Sequence, residues 1–191
     1  MRIVGGTFRG RMLTGPKHAG LRPTSDRVRE AVFNILVHGI ADFSLEGANV
    51  LDLFAGTGAL GLEALSRGAA MCLFVEEDAE ARALIRQNIE ALGLTGRTRV
   101  FRRDATSLGP AGKHGGFTLV FLDPPYGKGL GERALASAAA GGWLAGDAVA
   151  VLEERKGAIP ALPEGFTEID RRSWGDTQAL FARWKGRAEM R

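Results

Sequence analysis

Cysteine is almost absent from this 191-residue chain, which carries Cys72 alone. One cysteine excludes a disulfide framework within the chain, and its place in the apolar run MCLFV reads as a buried small hydrophobe rather than a reactive thiol. Histidine is nearly as scarce. His18, His38 and His114 stand far apart without metal-ligand spacing, so no metal is expected. No run of about 18 or more apolar residues occurs, and the opening MRIVGGTFRG lacks the apolar segment of a secretory signal. A cytoplasmic protein with no membrane partner is the expectation. Internal repeats and low-complexity tracts are missing too. Charge of one sign is also lacking overall, since 25 Lys+Arg against 22 Asp+Glu leave only +3. The distribution is uneven, however. Residues 1–29 hold Arg2, Arg9, Arg11, Lys17, Arg22, Arg27 and Arg29 against the single acid Asp26.

What is present is an alternation of short apolar runs with helical patterns. The length suits one domain over residues 1–191, in a monomer, with a core that needs no staples. NVLDLF (49–54), CLFVEE (72–77), TRVFRRDA (98–105), TLVFLDPPY (118–126) and AVAVLEE (148–154) read as strands. Between them ALGLEALSRG (59–68), DAEARALIRQNIEALG (78–93) and LGERALASAAAGG (130–142) read as helices, which predicts a parallel sheet covered by helices. Asp78 is placed to cap the second of these helices and Gly93 to end it. In the tail, FTEIDRRSW and QALFARW are two strands joined through Gly175-Asp176-Thr177, an antiparallel pair. Ahead of the sheet, TSDRVREAVFNILVHG (24–39) is an amphipathic helix that Thr24 or Ser25 can cap, preceded by a glycine-rich basic arm, residues 1–23.

In open α/β sheets ligands bind beyond the carboxyl ends of the strands. The loop after the first strand, LDLFAGTGALG, holds Gly56-x-Gly58-x-x-Gly61, a spacing shared with nicotinamide and flavin binders. Glycines there let the backbone turn sharply and approach a ligand, and a helix N-terminus follows. Asp52 sits four residues before Gly56, where it would crowd a pyrophosphate but suits a cationic ligand such as S-adenosylmethionine. Glu76, at the end of the second strand, is placed for ribose hydroxyls in either case. Asp104, at the end of the third, can accept from an adenine amine or simply cap a helix.

Asp123-Pro124-Pro125-Tyr126 ends the fourth strand. The prolines remove two backbone donors and fix the chain, leaving a carboxylate and carbonyl oxygens as a site made only of acceptors. Such a site fits an exocyclic amine on a base. Asp123 and the Pro124 carbonyl would take its two hydrogens and turn the nitrogen lone pair toward a methyl sulfonium, while Tyr126 stacks on the base. Nicotinamide chemistry has no use for the motif.

DLFAGTGALGLEALSRGA, the acid of FVEED, and DPPY together resemble the class I S-adenosylmethionine-dependent methyltransferases that modify exocyclic amines. RIVGGTFRGRML and LRPTSDRVREAVFNIL bring the chain closer to the bacterial small-subunit (16S) ribosomal RNA guanine-N2 methyltransferases of the guanine-966 type. The likeness covers residues 1 to about 155. It implies a Rossmann-like α/β fold with a seven-stranded, mostly parallel sheet, helices on both faces and an antiparallel C-terminal strand. It also implies a cofactor site around Asp52, Phe54, Gly56, Gly58, Glu76, Asp104 and Ala105, with Asp123 to Tyr126 at the target amine. Relatives often carry phenylalanine at the Tyr126 position, which implies a dispensable hydroxyl.

The expected partner is 16S ribosomal RNA or an assembling small subunit. Arg9, Arg11, Arg22 and Arg27, with Arg29, would meet phosphates through an arm that orders on its partner, and Arg102, Arg103 and Lys128 could extend that rim. A recessed pocket would require the guanine to be unstacked. The residues alone leave open N6 methylation of adenine, methylation of a glutamine amide, a non-catalytic RNA-binding module and a nicotinamide oxidoreductase.

Overall fold

The computed structural model describes residues 1–17 and 24–186. Its strands are β1 (Asn49–Leu53), β2 (Met71–Val75), β3 (Thr98–Phe101), β4 (Phe117–Leu122), β5 (Leu144–Arg155), β6 (Phe166–Trp174) and β7 (Thr177–Trp184). They form one sheet in the order β3-β2-β1-β4-β5-β7-β6. Pairing is parallel from β3 through β5, and β7 runs antiparallel to both β5 and β6. The reversed final strand therefore lies inside the sheet, and the seven-stranded, mostly parallel arrangement agrees with the sequence reading.

Side chains alternate between faces along each strand, so successive residues feed different layers. Val50, Cys72, Phe74, Leu119, Phe121 and Val151 pack with residues of α1 (Asp26–His38), α2 (Ala59–Ser66) and α3 (Ala79–Leu92), among them Phe33, Leu62 and Ile85. Leu51, Leu73, Val75, Val120 and Leu152 pack on the other side with Trp143 and with Ala134 and Leu135 of α4 (Leu130–Ala140). Burial on both faces explains why the central strands read as continuous apolar runs. Ser25 caps α1 through the Val28 N–H, Asp78 caps α3 through that of Ala81, and Gly93 ends α3 at φ 68°. Among the described residues no helix is long and apolar enough to cross a membrane.

Several boundaries differ from expectation. β3 stops at Phe101, so Asp104 lies beyond the strand and opens a 3-10 turn, Ala105–Ser107. β5 begins at Leu144 and continues to Arg155, and Thr177 belongs to β7 rather than to the turn before it.

The largest correction concerns the arm. Its first 14 residues do not wait for a partner to become ordered. Arg2 and Met12 form an antiparallel bridge, with Ile3 and Leu13 buried against the core. Glu63 of α2, fully buried, is the anchor: it accepts from the Val4 N–H at 2.9 Å, the Gly5 N–H at 2.8 Å, Arg67 Nε at 2.8 Å and Arg29 Nε at 3.4 Å. Asn88 of α3 holds the Thr14 N–H at 2.8 Å. One buried acid thus ties the N-terminal hairpin, α1 and α2 together. A glycine is required at position 6, where φ is 76° and a Cβ would fall 1.9 Å from the Ser66 carbonyl oxygen.

Candidate active site

β1 delivers the glycine loop in a strained form. Phe54 lies in the left-handed region at φ 57°, a conformation costly for a residue with a Cβ, and Gly56 and Gly58 follow at φ 57° and 80°. Space above Gly56 is open, with nothing within 4 Å of where a Cβ would stand. Gly61 serves packing instead. A Cβ there would lie 2.5 Å from both Cys72 Sγ and the Phe74 ring, so its absence lets α2 settle on β2.

The loop amides are already committed. Asp52, 2% exposed, accepts from the Gly61 N–H at 3.0 Å, and Glu76 accepts from the Gly56 N–H and the Asp78 N–H, both at 2.9 Å. A pyrophosphate would need those donors and would meet two carboxylates in place of them. Burial pushes the Asp52 carboxyl up to about 8, the Gly61 N–H opposes that rise, and the charge of Glu76 adds to it. A cation nearby would relieve the penalty. The acids of the loop suit a positive charge better than a pyrophosphate, whatever the glycine spacing suggests.

Asp104 stands apart on the exposed surface. Its Oδ1 accepts both from the Thr106 N–H at 2.8 Å and from Thr106 Oγ1 at 2.7 Å, which hold its carboxyl below the usual carboxylate range. It caps the turn with one oxygen and leaves Oδ2 without a hydrogen bond to the described residues. Ala105 is buried in the second core layer. A cleft of about 650 Å³ opens between this turn and α4, lined by Thr106, Ser107, Arg133 and Ser137, and holds none of the site's other acids.

β4 lies beside β1 with Leu53 opposite Leu122, so the glycine loop and Asp123 leave the sheet next to each other. On its other side Leu122 pairs with Leu152, and the same register sets Asp123 against Glu153. Thr24 Oγ1 donates to Glu153 Oε2 at 2.8 Å and lies 3.4 Å from Asp123 Oδ2. The Tyr126 hydroxyl donates to Glu153 Oε1 at 3.1 Å and lies 3.2 Å from Thr177 Oγ1. Glu154 receives the Gly127 N–H, which pins the chain just past the motif, while Pro124 is buried and Pro125 exposed. Burial and then the charges of Glu153 and Asp52 push the Asp123 carboxyl well above its ordinary range. Burial raises Glu153 and the Tyr126 phenol as well.

Glu153 escaped the sequence reading, which counted it only as part of a strand. Its signal was there: an acid on the α1–α3 face of a strand whose same-face neighbours Val149 and Val151 are core. Of the two residues offered as the cap of α1, Ser25 serves, and the Thr24 hydroxyl turns into the site instead.

The arginines separate. Arg9 and Arg27 are exposed, Arg11 is exposed but donates to the Ala91 carbonyl at 2.8 Å, and Arg22 lies outside the described residues. Arg29 is fully buried between Glu63 and Asp26, so it cannot meet a phosphate. Arg103 sits over the Phe101 and Trp143 rings and donates to the Leu108 carbonyl, which makes it a packing residue. Arg102 and Lys128 are exposed.

Residues 1–183 match the family described as "Conserved hypothetical protein 95". Ribosomal RNA small subunit methyltransferase D of Escherichia coli (strain K12) is 42% identical over 168 residues, covering 87% of this chain and 81% of that one. The chain belongs to this methyltransferase family. The enzyme of the same name from Haemophilus influenzae is 34% identical over 177 residues, 92% of this chain and 89% of its own. Among solved structures, the Escherichia coli protein yhhF, a candidate methyltransferase, superposes with a TM-score of 0.82 at 32% identity over 98% of this chain and 99% of that chain. As a member of this methyltransferase family the chain carries the class I fold, with Asp52, Glu76, Asp123 and Glu153 gathered at the carboxyl end of its central strands.

Proposed function

We propose that the chain transfers the methyl group of S-adenosylmethionine to the exocyclic N2 amine of a guanine in 16S ribosomal RNA, as enzymes of the guanine-966 type do. The observation that carries the reading is the pairing of a cation-seeking glycine loop with an all-acceptor motif on the adjacent strand. The relatives named for small-subunit ribosomal RNA support the substrate, and the resemblance in RIVGGTFRGRML and DPPY supports guanine over adenine.

The cofactor fits the residues present. Asp52 is a buried acid with one backbone donor and no cationic side chain paired with it among the described residues, the space over Gly56 is open, and Asp104 keeps an oxygen that accepts from none of the described residues. Asp52 would favour the positive charge, Glu76 the ribose hydroxyls, Asp104 the adenine amine, and Phe54, Gly58 and Ala105 would shape the walls. Bound there, S-adenosylmethionine supplies an electrophilic methyl group on sulfur.

The chain's own residues do the rest by alignment. Asp123 and the Pro124 carbonyl accept the two amine hydrogens, which draws the nitrogen lone pair out of conjugation. Tyr126 holds the base plane, and stacking of this kind is worth about 1–3 kcal/mol. Positioning alone can remove roughly 7–11 kcal/mol from such a barrier. After transfer the amine sheds a proton, and Asp123 stands next to it as acceptor. Unstacking the guanine costs a few kcal/mol, which exposed Arg9, Arg11 and Arg27 help to offset through phosphate contacts.

The deciding experiment supplies labelled methyl donor with naked 16S ribosomal RNA, assembled small subunits and unmodified DNA, and then maps the labelled base. Label on guanine N2 is expected. Label on adenine would reject the assignment, and stabilisation by NADH but not by S-adenosylhomocysteine would reject the cofactor.

A further inference from the structure

The proposed chemistry gives Asp123 and Tyr126 their tasks and leaves Glu153 without one. This acid is 8% exposed at the carboxyl end of β5. Among the described residues no lysine or arginine pairs with it, and both hydrogen bonds it accepts come from hydroxyls. Burying a carboxylate on such terms is expensive, and a well-packed apolar residue would be cheaper if filling space were all that the position required.

Its two oxygens are divided between two parts of the site. Oε1 takes the Tyr126 hydroxyl at 3.1 Å, and Oε2 takes Thr24 Oγ1 at 2.8 Å. The same Thr24 hydroxyl lies 3.4 Å from Asp123 Oδ2, and the Tyr126 oxygen lies 3.2 Å from Thr177 Oγ1. Thr24, just ahead of the cap of α1, and the segment after β4 thus meet at one carboxylate of β5, and β7 joins through the Tyr126 hydroxyl. A tyrosine ring turns about two bonds; fixing its hydroxyl at the far end fixes the axis along which the ring lies, and so where it meets a base.

We infer that Glu153 is a positioning residue, which holds the Tyr126 ring and, through Thr24, the Asp123 carboxylate in the geometry that receives the target amine. The inference rests on the proposed reaction for its kinetic part only. It also departs from the family resemblance. Where relatives with phenylalanine can dispense with a hydroxyl, this chain gives the Tyr126 hydroxyl two partners and uses it as a handle.

Tyr126 is the only tyrosine in the chain, so ring-labelled tyrosine gives one set of NMR signals, readable without cofactor or RNA. Glu153→Ala is expected to move or broaden those signals. It should lower kcat by about tenfold, a modest loss of alignment, while KM for the RNA changes by less than about twofold. Glu153→Gln keeps an acceptor for Tyr126 and a polar group for Thr24, and should restore most of both. Should Glu153→Ala fail to fold, Tyr126→Phe and Thr24→Val each remove one arm of the clamp and should each lower kcat, with Thr24→Ser recovering it. An unmoved ring signal, or a full kcat in Glu153→Ala, overturns the inference. If the wild-type chain methylates no RNA, the proposed reaction fails, and the ring signal alone decides whether Glu153 holds Tyr126.

Discussion

On the β1–β2 side of the site, Asp52 and Glu76 accept from the backbone amides of Gly61, Gly56 and Asp78. On the β4–β5 side, Asp123 and Glu153 stand against each other with the hydroxyls of Thr24 and Tyr126 as hydrogen-bond partners. A backbone amide cannot rotate away, so the first pair of acids is part of the scaffold and shapes the loop whether or not a ligand is bound. A hydroxyl can turn, so Asp123 can release its long contact with Thr24 and accept from an incoming amine. One half of the site is prebuilt, and the other is held ready at an electrostatic cost.

The sharpest way to separate the halves is Asp123→Ala. Removal of a preorganised polar partner costs about 10²–10³ in kcat, and the loss here should reach the upper end, with S-adenosylhomocysteine binding within a few-fold of wild type by calorimetry. Because Asp123 is crowded by burial and by Glu153, its loss should leave the melting temperature equal or higher at neutral pH. Weakened cofactor binding would move Asp123 to the wrong half. On the scaffold side, Glu63→Ala leaves the buried Arg29 guanidinium with Asp26 as its one remaining acid, removes the partner of Arg67 and frees two backbone amides of the N-terminal hairpin. Breaking a buried pair in this way costs about 3 kcal/mol or more, visible as a lower midpoint in urea unfolding.

Much of this contrast was legible in the sequence, for physical reasons that also set its limits. The strands and their parallel order follow from local apolar runs and the helices between them, and DPPY declares itself because two prolines after a strand leave only acceptors. Asp52 stands out because it is an acid one residue before the end of an apolar strand, and it is buried there as that position implies. Glu153 could not be joined to Asp123 without the register of β4 on β5, which no local pattern specifies. The arm misled for a related reason. Its arginines and glycines suggest an arm that orders only on a partner, and the distant Glu63 and Asn88 reveal that the hairpin is fastened to α2 and α3. Arg29 likewise reads as surface charge until its partners are known.

Gly61→Ala tests the packing role of the third glycine. An added methyl must displace Cys72 Sγ and the Phe74 ring, each 2.5 Å away, in a core with no slack. Overpacking of this kind costs about 1–3 kcal/mol. Cofactor affinity should fall too, because the Gly61 N–H and Asp52 would shift together. A variant as stable as wild type would mean that α2 moves freely on β2, and the scaffold half would then be softer than the hydrogen bonds suggest.

Asp52→Asn is the most specific of these variants. Asp52 has an ordinary value near 3.8 and is pushed up to about 8 in the folded chain. Between those values the folded state holds more protons than the unfolded one, so stability is fully present below the lower value and is lost as pH rises toward the upper one. Asp52→Asn keeps an oxygen for the Gly61 N–H and removes the titration. Its stability should match wild type near about pH 4 and exceed it by a margin that grows as pH rises toward about 8, read as melting temperature against pH. Binding runs the other way. A cationic ligand draws Asp52 back toward its ionised form, so S-adenosylmethionine should release a proton on binding to wild type near neutral pH. Calorimetry in buffers of different ionisation enthalpy reads that proton directly. Asp52→Asn should release none and bind more weakly, and a wild-type chain that releases no proton would detach Asp52 from the cation and leave it as a cap for α2.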